Sequence, residues 1–292
     1  MNRKYMRNET FENTFPFKPN FKTINGFEMH FVDEGKGQPI ICLHGMPTWG
    51  YLYRNFIKTL SNNYRVIVPD QMGFGKSDVP QNKKYLLNQH INNTTQLIID
   101  LDLKDITLVV QDWGGPIGLG FAVDYPERVK RLVIMNTSIG VMKEGSKPWY
   151  YAMEKKGKYT EFIKNIAGLI QMGIYNKKEI TSTMLDAYTA PFPNDESFIG
   201  ALAWPKDIPI GNSHPSAATM LHIRQNLKIL NDKQKILIWG MKDPIFAPWM
   251  TNWWNKIFPG INTYKLDKAS HFLQEDSPAE IINIIQEFLG KT

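Results

Sequence analysis

Short apolar runs rich in β-branched residues recur along most of this chain, separated by longer stretches with helical spacing. Such runs are typical of strands that are buried on both faces of a parallel sheet. The runs that predict strands are 39–43, 64–69, 106–110, 129–135, 235–239 and 262–266. The stretches that predict helices are 88–102, 116–125 and a closing helix whose apolar stripe is Ile281, Ile284, Ile285, Phe288 and Leu289. This alternation predicts an α/β fold with a mostly parallel central sheet and helices on both faces.

Three segments depart from the alternating pattern. Residues 1–20 show no periodicity and predict an extended arm, whereas 21–35 alternate around Asn25-Gly26, a strong hairpin signal. Between 138 and 214 no run predicts a strand, and helical stretches rich in Tyr, Met, Trp and Phe are interrupted by prolines. We therefore predict a core domain formed by 1–137 and 215–292 and a helical lid domain formed by 138–214.

Composition narrows the cellular setting. The chain has 292 residues, of which 42% are apolar, and its single cysteine, Cys42, excludes an intramolecular disulfide and fits a reducing compartment. The first residues are polar and charged, and no apolar run is long enough to cross a bilayer. The formal charge of +6 comes from scattered lysines without a basic stripe. We therefore predict a cytoplasmic protein that binds neither a membrane nor nucleic acid.

The first candidate for chemistry lies where the run 106–110 ends in Gln-Asp-Trp-Gly-Gly and a helix follows. A strand, a sharp glycine turn and a helix are the setting of a nucleophile elbow, and the residue at its tip is Asp112. A carboxylate is already ionised at neutral pH, so it can attack without a base, and it suits a target with a good leaving group or a strained ring. The alternative is that Asp112 only caps the helix.

Two further candidates, Asp243 and His271, also follow predicted strands. Catalytic groups of open parallel sheets gather at the carboxyl ends of the strands, so these side chains are expected near Asp112. The chain order of nucleophile, acid and histidine is that of a hydrolase triad. The alternatives are a turn at Asp243 before Pro244 and a buried structural histidine at 271. His44, before Gly45, is interpreted as structural.

Several motifs together resemble those of the haloalkane dehalogenases. They are His44-Gly45-x-Pro47-Thr48, Val110-Gln111-Asp112-Trp113-Gly114-Gly115, Ala190-Pro191-Phe192-Pro193, Trp204-Pro205-Lys206-Asp207-Ile208-Pro209-Ile210, Gly240-Met241-Lys242-Asp243 and His271-Phe272-Leu273-Gln274-Glu275-Asp276. The likeness runs from about residue 20 to the end. It implies an α/β-hydrolase fold that needs no cofactor and no metal and cleaves carbon–halogen bonds with water. The expected partners are a small apolar substrate, water and the halide product, and the expected assembly is a monomer or weak dimer.

The resemblance also implies a role for each site residue. Asp112 attacks the halogen-bearing carbon and becomes an alkyl ester, while the indole N–H of Trp113 binds the departing halide. His271, supported by Asp243, then activates water to hydrolyse the ester. The backbone N–H groups of Met46 and Trp113 form the oxyanion hole.

Two positions differ from common patterns of this family. Many members have Asn after His-Gly as the second halide donor, but here that residue is Met46, which donates no hydrogen bond. Others use a lid tryptophan, for which the candidates here are Trp149 and Trp204, as halide donors or pocket lining. Some members place the triad acid after the sixth strand, where this chain has Asn136. Asp243 is therefore expected to be the acid.

Three other functions remain open from the sequence. An epoxide hydrolase would share the fold and the Asp-Asp-His set, with lid tyrosines such as Tyr150, Tyr151, Tyr159, Tyr175 or Tyr188 protonating the epoxide. A β-lactone decarboxylase would also use an aspartate nucleophile. A ligand-binding descendant of the fold would not be a catalyst, which an intact triad argues against.

Overall fold

The computed structural model describes residues 4–290. Its centre is an eight-stranded sheet with the order β1-β2-β4-β3-β5-β6-β7-β8. Strand β2 pairs antiparallel with β1 and β4, and the remaining pairs are parallel. The strands are β1 Asn20–Ile24, β2 Phe27–Glu34, β3 Pro39–Leu43, β4 Arg65–Pro69, β5 Ile106–Val110, β6 Val129–Met135, β7 Gln234–Gly240 and β8 Asn262–Leu266.

The six parallel strands fall within one residue of the predicted runs, and the 21–35 hairpin is also present. Strand β5 is buried at all five positions, and it lies between β3 and β6 in the sheet. In register, Leu43 lies beside Val110, and Val110 lies beside Ile134. The carboxyl end of β5 therefore lies in the middle of the sheet edge.

Twelve α-helices occur within residues 4–290. They are α1 Arg54–Leu60, α2 Leu87–Asp100, α3 Gly114–Asp124, α4 Tyr151–Lys155, α5 Tyr159–Lys164, α6 Ile166–Gly173, α7 Ser182–Thr189, α8 Ile199–Lys206, α9 Ala217–Asn226, α10 Met250–Ile257, α11 Leu273–Asp276 and α12 Pro278–Gly290. Helix α1 packs against α12, whereas α3 packs against α2 and α9. The predicted α/β fold is confirmed.

Residues 138–214, between β6 and β7, contain α4 to α8 and no named strand, as their sequence pattern predicts. Their one β-type contact is an isolated bridge between Met142 and Ile210. The indole N–H of Trp49 donates to the Ala187 carbonyl at 2.9 Å, which joins the core to α7. The 138–214 boundaries stay a prediction, and we call this segment the lid.

The prediction of an extended arm over residues 1–20 is wrong for the part that the structure describes. Lys4–Met6 form a 3-10 turn, and Met6, Phe11 and Phe15 are buried. The Thr14 hydroxyl shares a hydrogen bond of 2.9 Å with the Tyr51 hydroxyl. Irregular segments show no periodicity because each contact is tertiary, so the sequence pattern does not reveal them.

Candidate active site

Asp112 lies immediately beyond β5 with a φ of +51°, in the left-handed region that few non-glycine residues adopt. The turn is tight because two glycines allow close approach. A Cβ on Gly45 would lie 2.0 Å from Asp112 Oδ1, and one on Gly115 would lie 2.0 Å from Thr137 Oγ1. This strained turn has the geometry of a nucleophile elbow.

The Asp112 carboxylate is bound from the core side. The Met46 N–H donates to Oδ1 at 2.8 Å, and the Trp113 backbone N–H also lowers the pKa of the carboxyl group. These are the two donors that the sequence predicts for an oxyanion hole. Helix α3 is preceded by Trp113 as its cap residue, without a side-chain capping bond, so the helix-cap alternative for Asp112 is not supported.

The surroundings of Asp112 act on its ionisation in opposite directions. Its side chain is 13% exposed, and burial raises the pKa of the carboxyl group. The charge of His271 and the N–H donors of Trp113 and Met46 lower the pKa of Asp112, but the net direction is upward. The carboxylate is therefore less stabilised than in water, which favours nucleophilic attack.

The structure brings His271 and Asp243 to the same sheet edge. His271 Nδ1 lies 3.0 Å from Asp243 Oδ2, and Nε2 lies 3.8 Å from Asp112 Oδ2. The imidazole is stacked 5.7 Å from the Phe246 ring and lies edge-on at 4.7 Å from the Phe272 ring. The orientation gives each imidazole nitrogen a separate carboxylate, as a hydrolase triad requires.

Asp243 is almost fully buried, and all its hydrogen bonds come from fixed groups. Its Oδ1 accepts from the N–H groups of Ile245 at 2.7 Å and Phe246 at 3.0 Å. Its Oδ2 accepts from Asn136 Nδ2 at 2.8 Å in addition to His271. A buried carboxylate needs such partners because desolvation is costly. The turn alternative for Asp243 holds in part, since the same carboxylate both organises the turn and faces His271.

Sequence reasoning missed two side chains that hold the triad. Asn136 was expected only as a position without an acid, yet its amide spans Asp243 and the Gly240 backbone. Gln111 Nε2 donates to the His271 carbonyl at 3.1 Å. The available signal was their place directly after β6 and β5, where side chains meet at the sheet edge.

Burial and nearby charges act on the pKa of His271 in opposite directions. Burial lowers the pKa of His271, but the charge and hydrogen bond of Asp243 and the charge of Asp112 raise it, and the net direction is upward. By contrast, His44 is structural as predicted: it accepts from the Gln71 N–H at 2.9 Å and contacts the Gly45 carbonyl at 3.0 Å. Burial lowers the pKa of His44.

A cavity of about 420 Å³ opens above Asp112, beneath the lid. Asp112, Trp113 and His271 line its wall together with residues that are mostly apolar. Its other lining residues include Met46, Pro47, Pro116, Met142, Lys147, Trp149, Leu169, Met172, Pro205, Ile208, Met220, Ile245, Phe246, Trp249 and Phe272. Among residues 4–290, no side chain or carbonyl accepts a hydrogen bond from the Trp113 indole N–H, which leaves it for a ligand.

The two lid tryptophans occupy different places. Trp149 lines the cavity and is 38% exposed, so it is pocket lining as suggested. Trp204 does not line the cavity, and its indole N–H donates to His90 Nε2 at 2.7 Å. The prediction of Trp204 as a halide donor is therefore wrong, because its indole N–H already donates to His90, a residue remote in sequence.

Comparison with known families agrees with the fold. The family model described as alpha/beta hydrolase fold matches residues 38–278. This chain belongs to the α/β-hydrolase family. Within residues 4–290 no cluster of three or more His, Cys, Asp or Glu side chains is placed to hold a metal, and no helix is long and apolar enough to span a membrane.

Relatives of this α/β-hydrolase are named either as haloalkane dehalogenases or as oxetanone decarboxylases. A haloalkane dehalogenase from Mycolicibacterium paratuberculosis is 33% identical over 93% of each chain. A cis-3-alkyl-4-alkyloxetan-2-one decarboxylase from Shewanella oneidensis is 31% identical over 95% of this chain and 90% of its own. The solved tetrameric haloalkane dehalogenase DpaA from Paraglaciecola agarilytica superimposes with a TM-score of 0.81, at 30% identity, covering 96% of this chain and 94% of its own. The recognised likeness to the haloalkane dehalogenases, and with it the prediction of a hydrolase, is confirmed.

Proposed function

We propose that this α/β-hydrolase is a haloalkane dehalogenase, which converts a small apolar haloalkane and water to an alcohol, a halide ion and a proton. Its main support is the placement of the Asp112 carboxylate. Oδ1 is held by the Met46 N–H at 2.8 Å, while Oδ2 faces His271 Nε2 at 3.8 Å within a largely apolar cavity. One oxygen is thus fixed for the oxyanion hole, and the other is placed for attack.

In the first half-reaction, Asp112 Oδ2 attacks the halogen-bearing carbon from the side opposite the halogen. A carbon–oxygen bond forms, and the electron pair of the carbon–halogen bond leaves with the halide. The Trp113 indole donates a hydrogen bond to that developing anion. A comparable donor to a developing anion in another enzyme contributes about 2.7–4 kcal/mol. This half-reaction uses no general base.

In the second half-reaction, His271 Nε2 takes a proton from water, and the water oxygen attacks Cγ of the Asp112 ester. The N–H groups of Met46 and Trp113 stabilise the negative charge that develops on Oδ1. Asp243 stabilises the imidazolium that forms. Collapse releases the alcohol and restores the carboxylate, and the proton passes from His271 to solvent.

The division between the two half-reactions provides the test. With 1-bromohexane, His271→Phe should release about one bromide per active site and then stop, because alkylation of Asp112 needs no base. Intact-protein mass spectrometry should show the added hexyl group. Asp112→Asn, the matched control, should give neither bromide nor adduct. A His271→Phe variant without burst and adduct, beside an active wild type, would contradict these roles.

A second candidate is the opening of a β-lactone, and one observation favours it besides the relatives named oxetanone decarboxylase. Of Trp113 and Met46, which line the cavity beside Asp112, only Trp113 offers a departing halide a side-chain N–H, because the Met46 side chain is a thioether. In a β-lactone, attack of Asp112 on the saturated ring carbon that bears the ring oxygen breaks that carbon–oxygen bond and yields a tethered carboxylate. Loss of carbon dioxide then forms an alkene and expels Asp112, with no free halide to bind.

A parallel assay separates these functions. Purified protein is given 1-bromohexane, a cis-3,4-dialkyloxetan-2-one and an epoxide of similar length. Bromide release supports the first proposal, whereas alkene and carbon dioxide without bromide would replace it with the second. Diol formation is the least expected result, because no tyrosine is among the described residues that line the cavity. A cytoplasmic monomer or weak dimer stays our prediction for its cellular state.

A further inference from the structure

The segment that carries His271 is bonded to the lid through a carboxylate that the proposed reaction does not use. Asp276, at the end of α11, accepts backbone hydrogen bonds from the lid residues Tyr175 and Asn176. Tyr175 N–H lies 2.9 Å from Oδ1 and 3.0 Å from Oδ2, and Asn176 N–H lies 2.8 Å from Oδ1. One side chain therefore holds two successive lid amides.

The same carboxylate also holds the residue directly before His271. Ser270 N–H donates to Asp276 Oδ2 at 2.8 Å. The Ser270 hydroxyl donates to the Lys242 carbonyl at 3.1 Å, next to Asp243 in the chain. The backbone that leads into His271 is thus fixed to the lid on one side and to the Asp243 turn on the other.

A direct backbone contact follows on the other side of His271. Phe272 N–H donates to the Gly173 carbonyl at 2.9 Å, and the Phe272 ring lies 4.7 Å from the imidazole of His271. A Cβ on Gly173 would lie 2.4 Å from that ring, so glycine is what lets the lid approach. Lid residues 173–176 therefore contact Phe272 directly and are joined to Ser270 through Asp276.

Glu275 adds an anchor of its own to the lid. Its buried carboxylate forms a two-pronged pair with Arg54 of α1 at 2.6 and 2.7 Å. It also accepts a hydrogen bond from the hydroxyl of Tyr188 in α7. Paired and buried, Glu275 fixes α11 to core and lid and leaves Asp276 as the direct contact to the residue before His271.

We propose that Asp276 is a positioning residue for ester hydrolysis, which holds His271 at the lid so that Nε2 reaches the attacking water. This inference rests on the proposed function. The inference assigns Asp276 to the second half-reaction alone. Asp112 belongs to the elbow after β5, and no hydrogen bond among residues 4–290 joins Asp112 to Asp276. Weakening this contact should therefore slow hydrolysis of the ester without slowing alkylation of Asp112.

The test is Asp276→Asn, assayed with 1-bromohexane by rapid quench and mass spectrometry. Oδ2 faces the Ser270 N–H and Oδ1 faces the Asn176 N–H, so either orientation of the amide sets an NH₂ group against an N–H donor. We expect the bromide burst to keep its amplitude and, within about twofold, its rate. Decay of the alkyl ester should slow roughly tenfold to a hundredfold, as small misplacements of catalytic groups do.

Two further variants serve as a control and as an independent test of the same contact. Asp195→Asn removes a lid carboxylate whose side chain is 88% exposed and pairs with Lys164, and it should leave burst and decay unchanged. Asn176→Pro removes one N–H donor to Asp276 at a φ of −83° that proline can adopt. It should slow ester decay in the same direction but less, and it covers the case in which Asp276→Asn does not fold.

Two results would overturn the inference. One is an equal loss of burst rate and ester decay in Asp276→Asn, which would assign Asp276 a general structural role. The other is an unchanged rate of ester decay in both Asp276→Asn and Asn176→Pro. A wild type that releases no halide from bromide, chloride or iodide substrates would instead contradict the proposed function.

Discussion

Asp112 combines backbone strain with an ionisable side chain at a cavity wall. A left-handed φ in a non-glycine residue costs of order 1–3 kcal/mol and persists only where neighbouring groups fix it. Here the Asp112 N–H donates to the Asn136 carbonyl at 3.0 Å, and the Thr137 hydroxyl donates to the Asp112 carbonyl at 2.6 Å. In the proposed reaction the Asp112 carboxylate is therefore oriented before the substrate arrives, which reduces the reorganisation needed to reach the transition state.

The backbone and the side chain of Met46 have different roles. Its backbone N–H holds Asp112 Oδ1, while its side chain lines the cavity without a hydrogen-bond donor. Chloride is a poorer leaving group than bromide and depends more on hydrogen bonds to the developing anion. The residue therefore predicts a preference for brominated over chlorinated substrates.

Met46→Asn should weaken that preference, because it adds an amide N–H at the position where many haloalkane dehalogenases have one. A hydrogen bond to a charged group contributes about 1.5–3 kcal/mol, so the ratio of kcat/KM for 1-chlorohexane over 1-bromohexane should rise roughly tenfold. Met46→Leu removes the thioether without adding a donor and should leave the ratio as it is. Equal ratios in Met46→Asn and wild type would show that this side chain does not contact the leaving group.

At the scale of elements, the sequence predicts strands better than it predicts what packs on them. Strands β3, β5, β6 and β8 have the predicted bounds, because continuous apolar β-branched runs fit a sheet that is covered on both faces. The arm at residues 4–19 was missed, since Phe11 and Phe15 are buried by contacts that have no period along the chain.

The turn between β5 and α3 depends on small residues in a neighbouring loop. Gly45, two residues beyond β3, contacts Asp112 so closely that a Cβ would lie 2.0 Å from its Oδ1 and 2.3 Å from its Cβ. The elbow and the loop after β3 are thus one unit, even though they are distant in the sequence.

Gly45→Ala should therefore displace the nucleophile. We expect the bromide burst to slow by roughly a hundredfold, because the carboxylate leaves its oxyanion donors, and stability to fall by about 1–3 kcal/mol through overpacking. Chemical denaturation and burst kinetics measure the two effects. Gly290→Ala is a control, because nothing lies within 4 Å of its added Cβ. An active Gly45→Ala would show that the turn can relax without moving the Asp112 carboxylate.

At the scale of the whole molecule, the triad was predictable but its supports were not. Asp112, Asp243 and His271 each follow a strand of one parallel sheet, and the sheet brings such ends together whatever their separation in sequence. Asn136, Gln111 and Asp276 act through partners that only the assembled fold defines. The same holds for Trp204, because its N–H is bound by a histidine 114 positions away.

Folding also couples the titrations of Asp112, Asp243 and His271. In the free enzyme the charges of Asp243 and Asp112 raise the pKa of His271 against the lowering effect of burial, with a net upward direction. In the proposed reaction, alkylation turns Asp112 into a neutral ester and removes one of the two charges. The pKa of His271 must therefore be lower in the ester intermediate than in the free enzyme.

The sign of this change gives a pH prediction. His271 accepts a proton from water only when neutral, so kcat, where ester hydrolysis limits it, should rise with pH through the pKa of His271 in the intermediate. That rise should lie at lower pH than the titration of His271 in the free enzyme, followed by NMR of the imidazole. Asp112→Asn, which also lacks the charge, should titrate His271 below the wild type. A kcat rise at or above the free-enzyme titration would show that the Asp112 charge does not govern His271, and that the 3.8 Å between Nε2 and Oδ2 does not persist in solution.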